Sequence, residues 1–335
     1  DNNTLRYITR YPARGKIYDR NGNLLVYNEA IYDLMVIPRQ VKKIDTLAFC
    51  SSLNITADFF KERMSKARRY SSFSPSVFMA QITKEEYGKI AENLHNFQGF
   101  YFQTRSVRSY PYPIAAHTLG NIGEVDKKDL ERDSYYKSGD YIGKSGLEYY
   151  YEKELRGEKG LKIIVVDVHN REKESFMDGQ FDTLPVPGKD IYLGLDAELQ
   201  QYGEALLKNK TGSIVAIEPS TGQILAMVTS PSYDPNELVG RVRSENYMRL
   251  LSDTLKPLVN RATSGIYPPG STFKMVNGLI TLQSGVVNKN SVFPCNGIES
   301  QPIRCTHFHS NSVALYEAIE NSCNPYFWET FREMF

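Results

Sequence analysis

Several features that would place this sequence in a specialised class are absent from it. The net charge is +1 with acidic and basic residues interleaved, so neither a nucleic-acid-binding surface nor a polybasic membrane patch is indicated. No apolar run approaches the roughly 18 residues that a membrane-spanning helix needs, and no signal peptide is visible. Internal repeats and low-complexity tracts are lacking too. What remains is a globular protein whose 335 residues leave room for two domains.

A serine and a lysine three positions apart form the most informative motif that is present. Ser271 follows the helix-breaking residues 268–270, and Lys274 precedes an apolar run, so we predict that a helix begins near Ser271. Residues three apart share one face of a helix, which brings the amine within reach of the hydroxyl. A lysine whose pKa is lowered can take the hydroxyl proton and make the serine a nucleophile. The simpler alternative is a serine that only caps a helix.

A second motif, further along the chain, supports the catalytic interpretation. Ser322 and Asn324 form an S-x-N triplet, and S-x-x-K followed by such a triplet is typical of active-site-serine β-lactamases and penicillin-binding proteins. Its simpler alternative is an interrupted helix that stops at Pro325. The third element, K-T-G, is absent. The pattern of residues 324–335 indicates a helix that is incomplete at residue 335, so we expect the chain to be a fragment.

The secondary-structure pattern changes near residue 180. Residues 184–189 are rich in Pro and Gly and indicate a linker, while residues 213–228 predict a β-hairpin. We therefore predict an α+β protein in which an irregular, mixed domain over residues 1–180 precedes a domain over residues 181–335. In the second domain, helices pack against an antiparallel sheet.

Longer stretches, in the right order, resemble the class B penicillin-binding proteins, and specifically the elongation-type penicillin-binding protein 2. They are R-G-x-I-x-D-R-x-G at residues 14–22, G-x-x-G-L-E at residues 143–148, the hairpin at residues 212–228 and the approach to the serine at residues 267–271. The resemblance covers nearly the whole chain. It implies that the first domain is a non-catalytic pedestal. The second is then a β-lactamase-like serine transpeptidase domain, incomplete at its C-terminus.

The activity that this resemblance implies is that of a peptidoglycan D,D-transpeptidase, which cross-links stem peptides during cell-wall elongation and is inhibited by β-lactams. Ser271 would attack the penultimate D-alanine, and Lys274 would take the serine proton. Ser322 would relay a proton to the leaving amine, and Asn324 would hold Lys274 or the substrate. No cofactor is needed for this catalysis. The alternative function is a penicillin-sensing receptor or a non-catalytic cell-wall scaffold with the same fold.

The resemblance also implies partners and a location. The pedestal would contact a membrane-embedded glycosyltransferase of the RodA type, and no nucleic-acid partner is expected. The protein would be periplasmic and anchored to the inner membrane by an N-terminal transmembrane helix, just after which this chain would begin. Because the K-T-G strand is missing, we expect the 335-residue chain by itself to be inactive.

Cysteine and histidine residues gather between the two catalytic motifs. If residues 305–309 are extended, Cys305, His307 and His309 point to one side, and a turn can bring Cys295 back towards them. These four residue types suit a structural zinc ion. A Cys295–Cys305 disulfide and free thiols with unrelated histidines are the alternatives, because the spacing matches no standard zinc finger.

The remaining cysteines, Cys50 and Cys323, are predicted to be packing residues. Cys50 is expected to act as a small buried hydrophobe. Cys323 lies between Ser322 and Asn324, and a helical turn would direct it away from both side chains.

Overall fold

The computed structural model describes residues 4–41, 44–82, 84–137, 139–166, 172–240 and 242–334. The chain forms two compact units, Asp1–Ser264 and Gly265–Phe335. Both contain helices and strands, which agrees with the predicted α+β class. Within the described ranges, no helix is both long enough and apolar enough to cross a membrane.

The strands of the described residues are short, apart from one long central strand. In chain order they are β1 (Thr4–Arg10), β2 (Ile17–Tyr18), β3 (Leu24–Val36), β4 (Ser76–Ile82), β5 (Phe100–Ser109), β6 (Ile122–Glu124), β7 (Tyr141–Gly143), β8 (Gly160–Val166), β9 (Glu172–Ser175), β10 (Ile191–Tyr192), β11 (Gly212–Ile217), β12 (Ile224–Ser230), β13 (Phe293–Pro294) and β14 (Ser312–Val313).

The α-helices of the described residues alternate with these strands. In chain order they are α1 (Thr46–Leu53), α2 (Ala57–Tyr70), α3 (Lys84–Ala91), α4 (Ala116–Leu119), α5 (Lys127–Arg132), α6 (Gly146–Tyr150), α7 (Glu152–Arg156), α8 (Ala197–Leu206), α9 (Arg243–Ser252), α10 (Arg261–Ser264), α11 (Phe273–Ser284), α12 (Leu315–Glu320) and α13 (Asn324–Arg332).

The long strand β3 organises the first unit. It pairs antiparallel with β2 at its start, and with β4 and β5 along the rest of its length. Because side chains alternate along a strand, Leu34 and Val36 point to the same face. On that face they join Phe49 of α1, Phe78 of β4 and Phe100 of β5 in an aromatic-rich core. A separate antiparallel sheet has the order β1-β8-β9.

The first unit continues beyond the domain boundary predicted near residue 180. Strand β10 pairs in parallel with β2, and Leu195 and Ala197 share a core with Ile17. This compact unit ends only at Ser264. A compact unit of the folded chain need not coincide with a domain, so the domain boundary near residue 180 stays a prediction.

Two of the family-like motifs meet inside the first unit. Arg14, from the stretch at residues 14–22, donates through Nε to Glu148 Oε2 at 2.6 Å and through Nη2 to Glu152 Oε2 at 2.6 Å. Arg108 of β5 donates through Nε to Glu148 Oε1 at 2.7 Å. Glu148 is 0% exposed and Arg108 is 1% exposed. The motifs are therefore linked by a buried network of charges that mutually compensate.

The predicted hairpin is present as the antiparallel pair β11–β12. Helix α8 packs against it through the fully buried Gln200, whose side chain donates to the Met227 carbonyl at 3.1 Å and accepts from the Met227 N–H at 2.8 Å. The predicted arrangement of a helix on an antiparallel sheet is thus confirmed for this segment.

The second unit is built from α11, α12 and α13 with the small sheet β13–β14. Its core includes Val313, Leu315, Tyr326 and Phe327 together with three of the four cysteines. The helix predicted near Ser271 starts as a 3₁₀ turn over Gly270–Thr272 and becomes α-helical at Phe273. The helix predicted at residues 324–335 is α13; Phe335 lies outside the described residues.

Candidate active site

Ser271 lies at the entrance to helix α11. It occupies the centre of the 3₁₀ turn Gly270–Thr272, and Gly270 has φ +57°, a conformation that glycine adopts without steric cost. Lys274 follows in the first turn of α11. Ser271 is exposed, whereas Lys274 is partly buried. The local sequence therefore presents the serine hydroxyl to solvent and holds the lysine behind it.

Lys274 makes three hydrogen bonds, all to the S-x-N segment. Its Nζ donates to the Ser322 carbonyl at 2.5 Å, to Ser322 Oγ at 2.9 Å and to Asn324 Oδ1 at 2.5 Å. Ser322 Oγ donates to Ser271 Oγ at 2.9 Å. The spacing predicted that Lys274 would reach Ser271. Among the described residues the two are linked instead through the hydroxyl of Ser322, in a chain of hydrogen bonds.

The backbone between α12 and α13 explains how Ser322 reaches that position. Ser322 has φ +51°, a left-handed conformation that is rare for residues other than glycine. Cys323 is then extended at the N-terminus of α13, which starts at Asn324. Pro325 lies in the first turn of that helix, where proline is tolerated, so it begins a helix and does not stop one.

Asn324 is oriented by hydrogen bonds at both ends of its amide. Oδ1 accepts from Lys274, and Nδ2 donates to the Arg304 carbonyl at 3.0 Å. Because the two ends of the amide have different partners, this network fixes which end faces the lysine. The four predicted catalytic side chains thus lie together in one unit, as the two motifs suggested.

Electrostatics around Lys274 favour its use as a base. Partial burial lowers its pKa below the usual value for lysine, while the thiols of Cys323 and Cys305 act in the opposite direction when ionised. The lowered pKa increases the fraction of neutral amine at any pH below it. A neutral amine can accept a proton that is passed on from Ser271 through Ser322.

A second cluster lies directly behind the S-x-N segment. The ligand-type atoms of Cys295, Cys305, His309 and Cys323 all lie within 4.8 Å of one another. His309 Nε2 is 3.2 Å from Cys305 Sγ and 3.7 Å from Cys295 Sγ. Its Nδ1 must carry a proton, because it bonds at 2.8 Å to the Ser310 carbonyl, which can only accept. In the neutral ring the lone pair on Nε2 therefore faces the sulfurs.

The structure groups these side chains differently from the spacing in two respects, although Cys323 also packs in the core of the second unit, as predicted. His307 does not belong to the cluster: it is exposed, and its Nδ1 is 4.0 Å from Cys305 Sγ. The chain bends at His307, so the strand-like alternation that would align His307 with His309 is lost. Cys323 takes the fourth position, because the left-handed Ser322 turns its side chain inwards instead of leaving it on a helical turn.

The thiols of this cluster differ in acidity. Burial raises the pKa of Cys305, but hydrogen bonds from the His307 N–H and from Nε2–H of the protonated His309 ring outweigh it and hold the pKa at about 6. Burial raises the pKa of Cys323 to about 12. All four cysteines of the chain, Cys50 included, are free and buried. The donor set of three sulfurs and one imidazole nitrogen is one that zinc prefers.

Ser271 and Lys274, joined through an S-x-N serine, form the arrangement of the active-site-serine β-lactamases and penicillin-binding proteins. Comparisons with known proteins agree with this class. Residues 9–193 match the penicillin-binding protein dimerisation domain, and residues 212–334 match the penicillin-binding protein transpeptidase domain. The chain belongs to the penicillin-binding protein family.

Individual relatives agree with this family. The chain is 33% identical to the peptidoglycan D,D-transpeptidase MrdA of Salmonella typhimurium, across 98% of the chain and 54% of the relative, and 33% identical to MrdA of Escherichia coli K12, across 99% and 54%. It is 29% identical to penicillin-binding protein 3 of Bacillus subtilis, across 100% and 50%. The chain thus spans about half the length of these relatives.

A solved structure gives the same result for the fold. The chain matches penicillin-binding protein 2 in its complex with MreC from Helicobacter pylori, with a TM-score of 0.80 and 27% identity, across 97% of this chain and 62% of that one. The predicted resemblance to penicillin-binding protein 2 is therefore confirmed in sequence and in fold.

Proposed function

We propose that the protein is a serine-type D-Ala-D-Ala transpeptidase that cross-links peptidoglycan stem peptides during cell-wall elongation. The hydrogen-bonded chain Lys274–Ser322–Ser271 is the observation that carries this proposal. It connects a base to a nucleophile, which an N-capping serine would not require. The curated relatives named peptidoglycan D,D-transpeptidase support the same activity.

The first chemical step is acylation of Ser271. Its hydroxyl passes a proton to Ser322, and Ser322 passes its own proton to the neutral amine of Lys274. Ser271 Oγ bonds to the carbonyl carbon of the penultimate D-alanine. The terminal D-alanine then leaves with its amine protonated by the reverse route. An amine of a neighbouring strand attacks the acyl-enzyme carbonyl and forms the new amide bond; the ester bond to Ser271 breaks, and the proton lost by the amine returns to Ser271 Oγ. A β-lactam acylates the same oxygen.

Labelling of the full-length protein with a fluorescent penicillin tests this assignment. We expect Ser271→Ala to abolish labelling and Lys274→Ala to reduce it to background without unfolding the protein. Ser284→Ala is the matched control, because Ser284 ends the same helix and its hydroxyl bonds locally, donating to the Thr281 carbonyl and accepting from the Val286 N–H. Full labelling of Ser271→Ala would end the catalytic assignment.

The alternative of a penicillin-sensing receptor or a non-catalytic scaffold is distinguished by turnover. Both a receptor and a transpeptidase can be acylated by penicillin, but only the transpeptidase releases D-alanine from a pentapeptide donor and joins the donor to an acceptor amine. Acylation by penicillin without any cross-linked product from stem peptides would favour the receptor.

We also propose that Cys295, Cys305, His309 and Cys323 hold a structural zinc ion. In a tetrahedral site with Zn–S bonds of about 2.3 Å, two sulfurs are roughly 3.8 Å apart, so ligand atoms within 4.8 Å need only a small contraction. When bound, zinc would supply binding energy that stabilises the loop between α11 and α12, and it would not take part in peptide chemistry. The His309 tautomer described above suits this role.

Metal analysis with two histidine variants tests the zinc proposal. We expect about one zinc per chain after dialysis, and a lower melting temperature after treatment with a strong chelator. His309→Ala should lose the metal, while His307→Ala should retain it. Loss in His307→Ala alone would restore the ligand set predicted from spacing. A Cys295–Cys305 disulfide in the freshly purified protein would contradict zinc binding, because bridged sulfurs cannot act as thiolate ligands.

For the whole protein we propose a periplasmic location, an N-terminal membrane anchor and contact of the pedestal with a RodA-type glycosyltransferase. The Helicobacter pylori relative was solved in a complex with MreC, which shows that a similar protein assembles with another protein. A photo-crosslinker at Tyr70, 77% exposed, tests pedestal contact; Tyr316, 74% exposed and in the second unit, is the control position. Crosslinks to the glycosyltransferase from Tyr316 but from no pedestal position would contradict the proposal.

A further inference from the structure

Three buried thiols converge beside the candidate active site. Cys295 is 2% exposed, Cys305 is 1% exposed and Cys323 is 0% exposed, and their sulfurs lie within 4.8 Å of one another. Each is a free thiol. A bound metal needs thiolates, but the same proximity also allows two sulfurs to bond to each other when no metal is present. The cluster can therefore exist in two mutually exclusive chemical states.

The cluster is connected to the proposed catalytic groups through the backbone. Cys323 is bonded on one side to Ser322 and on the other to Asn324, which provide all three acceptors of Lys274. The Asn324 side chain also donates through Nδ2 to the carbonyl of Arg304, the residue before Cys305, at 3.0 Å. Since Ser322 is held in a left-handed conformation, movement of Cys323 has to change the positions of its neighbours.

We propose that the cluster is a thiol-oxidation site, where a Cys295–Cys323 disulfide forms in the metal-free protein and slows acylation of Ser271. The effect on acylation rests on the proposed transpeptidase function, whereas formation of the disulfide does not. The oxidant is a small disulfide such as oxidised glutathione. One cysteine thiolate attacks it to give a mixed disulfide, and the other cysteine displaces the second thiol. The two cysteines lose two protons and two electrons, and the oxidant becomes two thiols.

The pair Cys295–Cys323 is favoured by the surroundings of the three sulfurs. The sulfurs of Cys295 and Cys323 lie within 4.8 Å of each other. Cys305 Sγ is instead contacted by His309 Nε2 at 3.2 Å and by His307 Nδ1 at 4.0 Å. A disulfide requires a sulfur–sulfur distance of about 2.05 Å, so forming it pulls Cys323 towards Cys295. That displacement changes the position of Ser322, whose hydroxyl links Lys274 to Ser271.

Oxidation of the full-length protein tests the site. Metal-free protein is incubated with oxidised glutathione, the disulfides are mapped by mass spectrometry, and the rate of acylation by a fluorescent penicillin is measured before and after dithiothreitol. We expect a Cys295–Cys323 bridge, an acylation rate at least tenfold lower, and recovery on reduction. Zinc-loaded protein should resist both changes. Cys50→Ala, whose side chain lies in another core, should behave as wild type.

The variant Cys295→Ser distinguishes the effect of the Cys295–Cys323 disulfide from the effects of other oxidation products. Its acylation rate should be the same before and after oxidation, because the bridge cannot form. A loss of rate in oxidised Cys295→Ser, a bridge that excludes Cys323, or a Cys295–Cys323 bridge with unchanged acylation would each overturn the proposal.

If the reduced protein is not acylated by penicillin at all, the proposed transpeptidase function is wrong. The effect of the disulfide must then be measured without catalysis. Amide hydrogen exchange of residues 321–327 would still report whether the bridge moves the S-x-N segment. Unchanged exchange upon bridging would then overturn the inference.

Discussion

At the scale of single residues, Lys274 is subject to two opposing influences. Its three acceptors, on Ser322 and Asn324, match the three protons of an ammonium group. Partial burial favours the neutral amine and lowers the pKa. The proposed acylation needs the neutral form, because only that form has a lone pair to accept the proton from Ser322.

The lowered pKa of Lys274 predicts how acylation depends on pH. The neutral fraction rises as pH increases towards that pKa, so the acylation rate should rise with a slope of about one logarithmic unit per pH unit. Stopped-flow measurement with a fluorescent penicillin from mildly acidic to mildly alkaline pH checks this. Lys274→Arg should be slow at every pH, because a guanidinium does not deprotonate. A flat wild-type profile would exclude Lys274 as the base.

Ser322 provides a second prediction at this scale. Removing its hydroxyl breaks the link between Lys274 and Ser271, so Ser322→Ala should lower the acylation rate by roughly 10²–10⁴-fold. Ser322→Gly is the matched variant, since glycine accepts φ +51° without strain. Both variants should be equally slow, and the glycine variant should melt at the higher temperature. An active Ser322→Gly would show that the hydroxyl is dispensable.

At the scale of elements, the alignment of neighbouring elements depends on single residues. Helix α8 meets β12 through Gln200, which satisfies both the N–H and the carbonyl of Met227. Similarly, the junction between α12 and α13 depends on the left-handed Ser322. Such groups align one element with its neighbour more specifically than apolar contacts alone can do.

Gln200→Leu tests the first of these junctions. It keeps the approximate size of the side chain but leaves the Met227 N–H and carbonyl without this partner, which should cost about 1–3 kcal/mol of unfolding free energy. Gln201→Leu is the control, because the neighbouring glutamine is exposed and should change stability by less than about 0.5 kcal/mol. Urea unfolding measures both. Equal effects would mean that Gln200 contributes through packing area only.

At the scale of the whole molecule, the first unit is held together across long sequence separations by buried charges. Glu148 accepts from both Arg14 and Arg108, and Glu152 completes the network through Arg14. Removing one member leaves an uncompensated charge in the interior, and that penalty exceeds the net stabilisation by the intact pair.

Glu148→Gln should therefore destabilise the protein by about 3–5 kcal/mol. Glu237→Gln provides the same chemical change in a surface ion pair, in which the side chains of Glu237 and Arg249 are 36% and 56% exposed. It should lower the unfolding free energy by at most about 1 kcal/mol. Chemical denaturation of both variants gives the comparison. A small effect of Glu148→Gln would show that water or local rearrangement compensates the two arginines.

Much of the candidate site could be predicted because motif spacing is a local property. Ser271 and Lys274 are three residues apart at the start of one helix, and Ser322 and Asn324 are two residues apart in the chain, so each pair is close without any long-range packing. The hairpin β11–β12 could be predicted equally well, because alternating apolar and polar residues and a turn sequence define it. His307 lies outside the cluster because the prediction assumed an extended backbone where the chain bends.

By itself, the sequence determined the family, the α+β class and the identities of the candidate catalytic side chains, because these depend on residue types at short spacing. Only the tertiary structure decided that Lys274 reaches Ser271 through Ser322, that Glu148 joins two arginines, and that Cys323 belongs with the other thiols. The physical reason is that these contacts depend on backbone torsions and on how distant segments pack. A left-handed residue such as Ser322 reverses the direction of the next side chain, and a linear pattern does not record that.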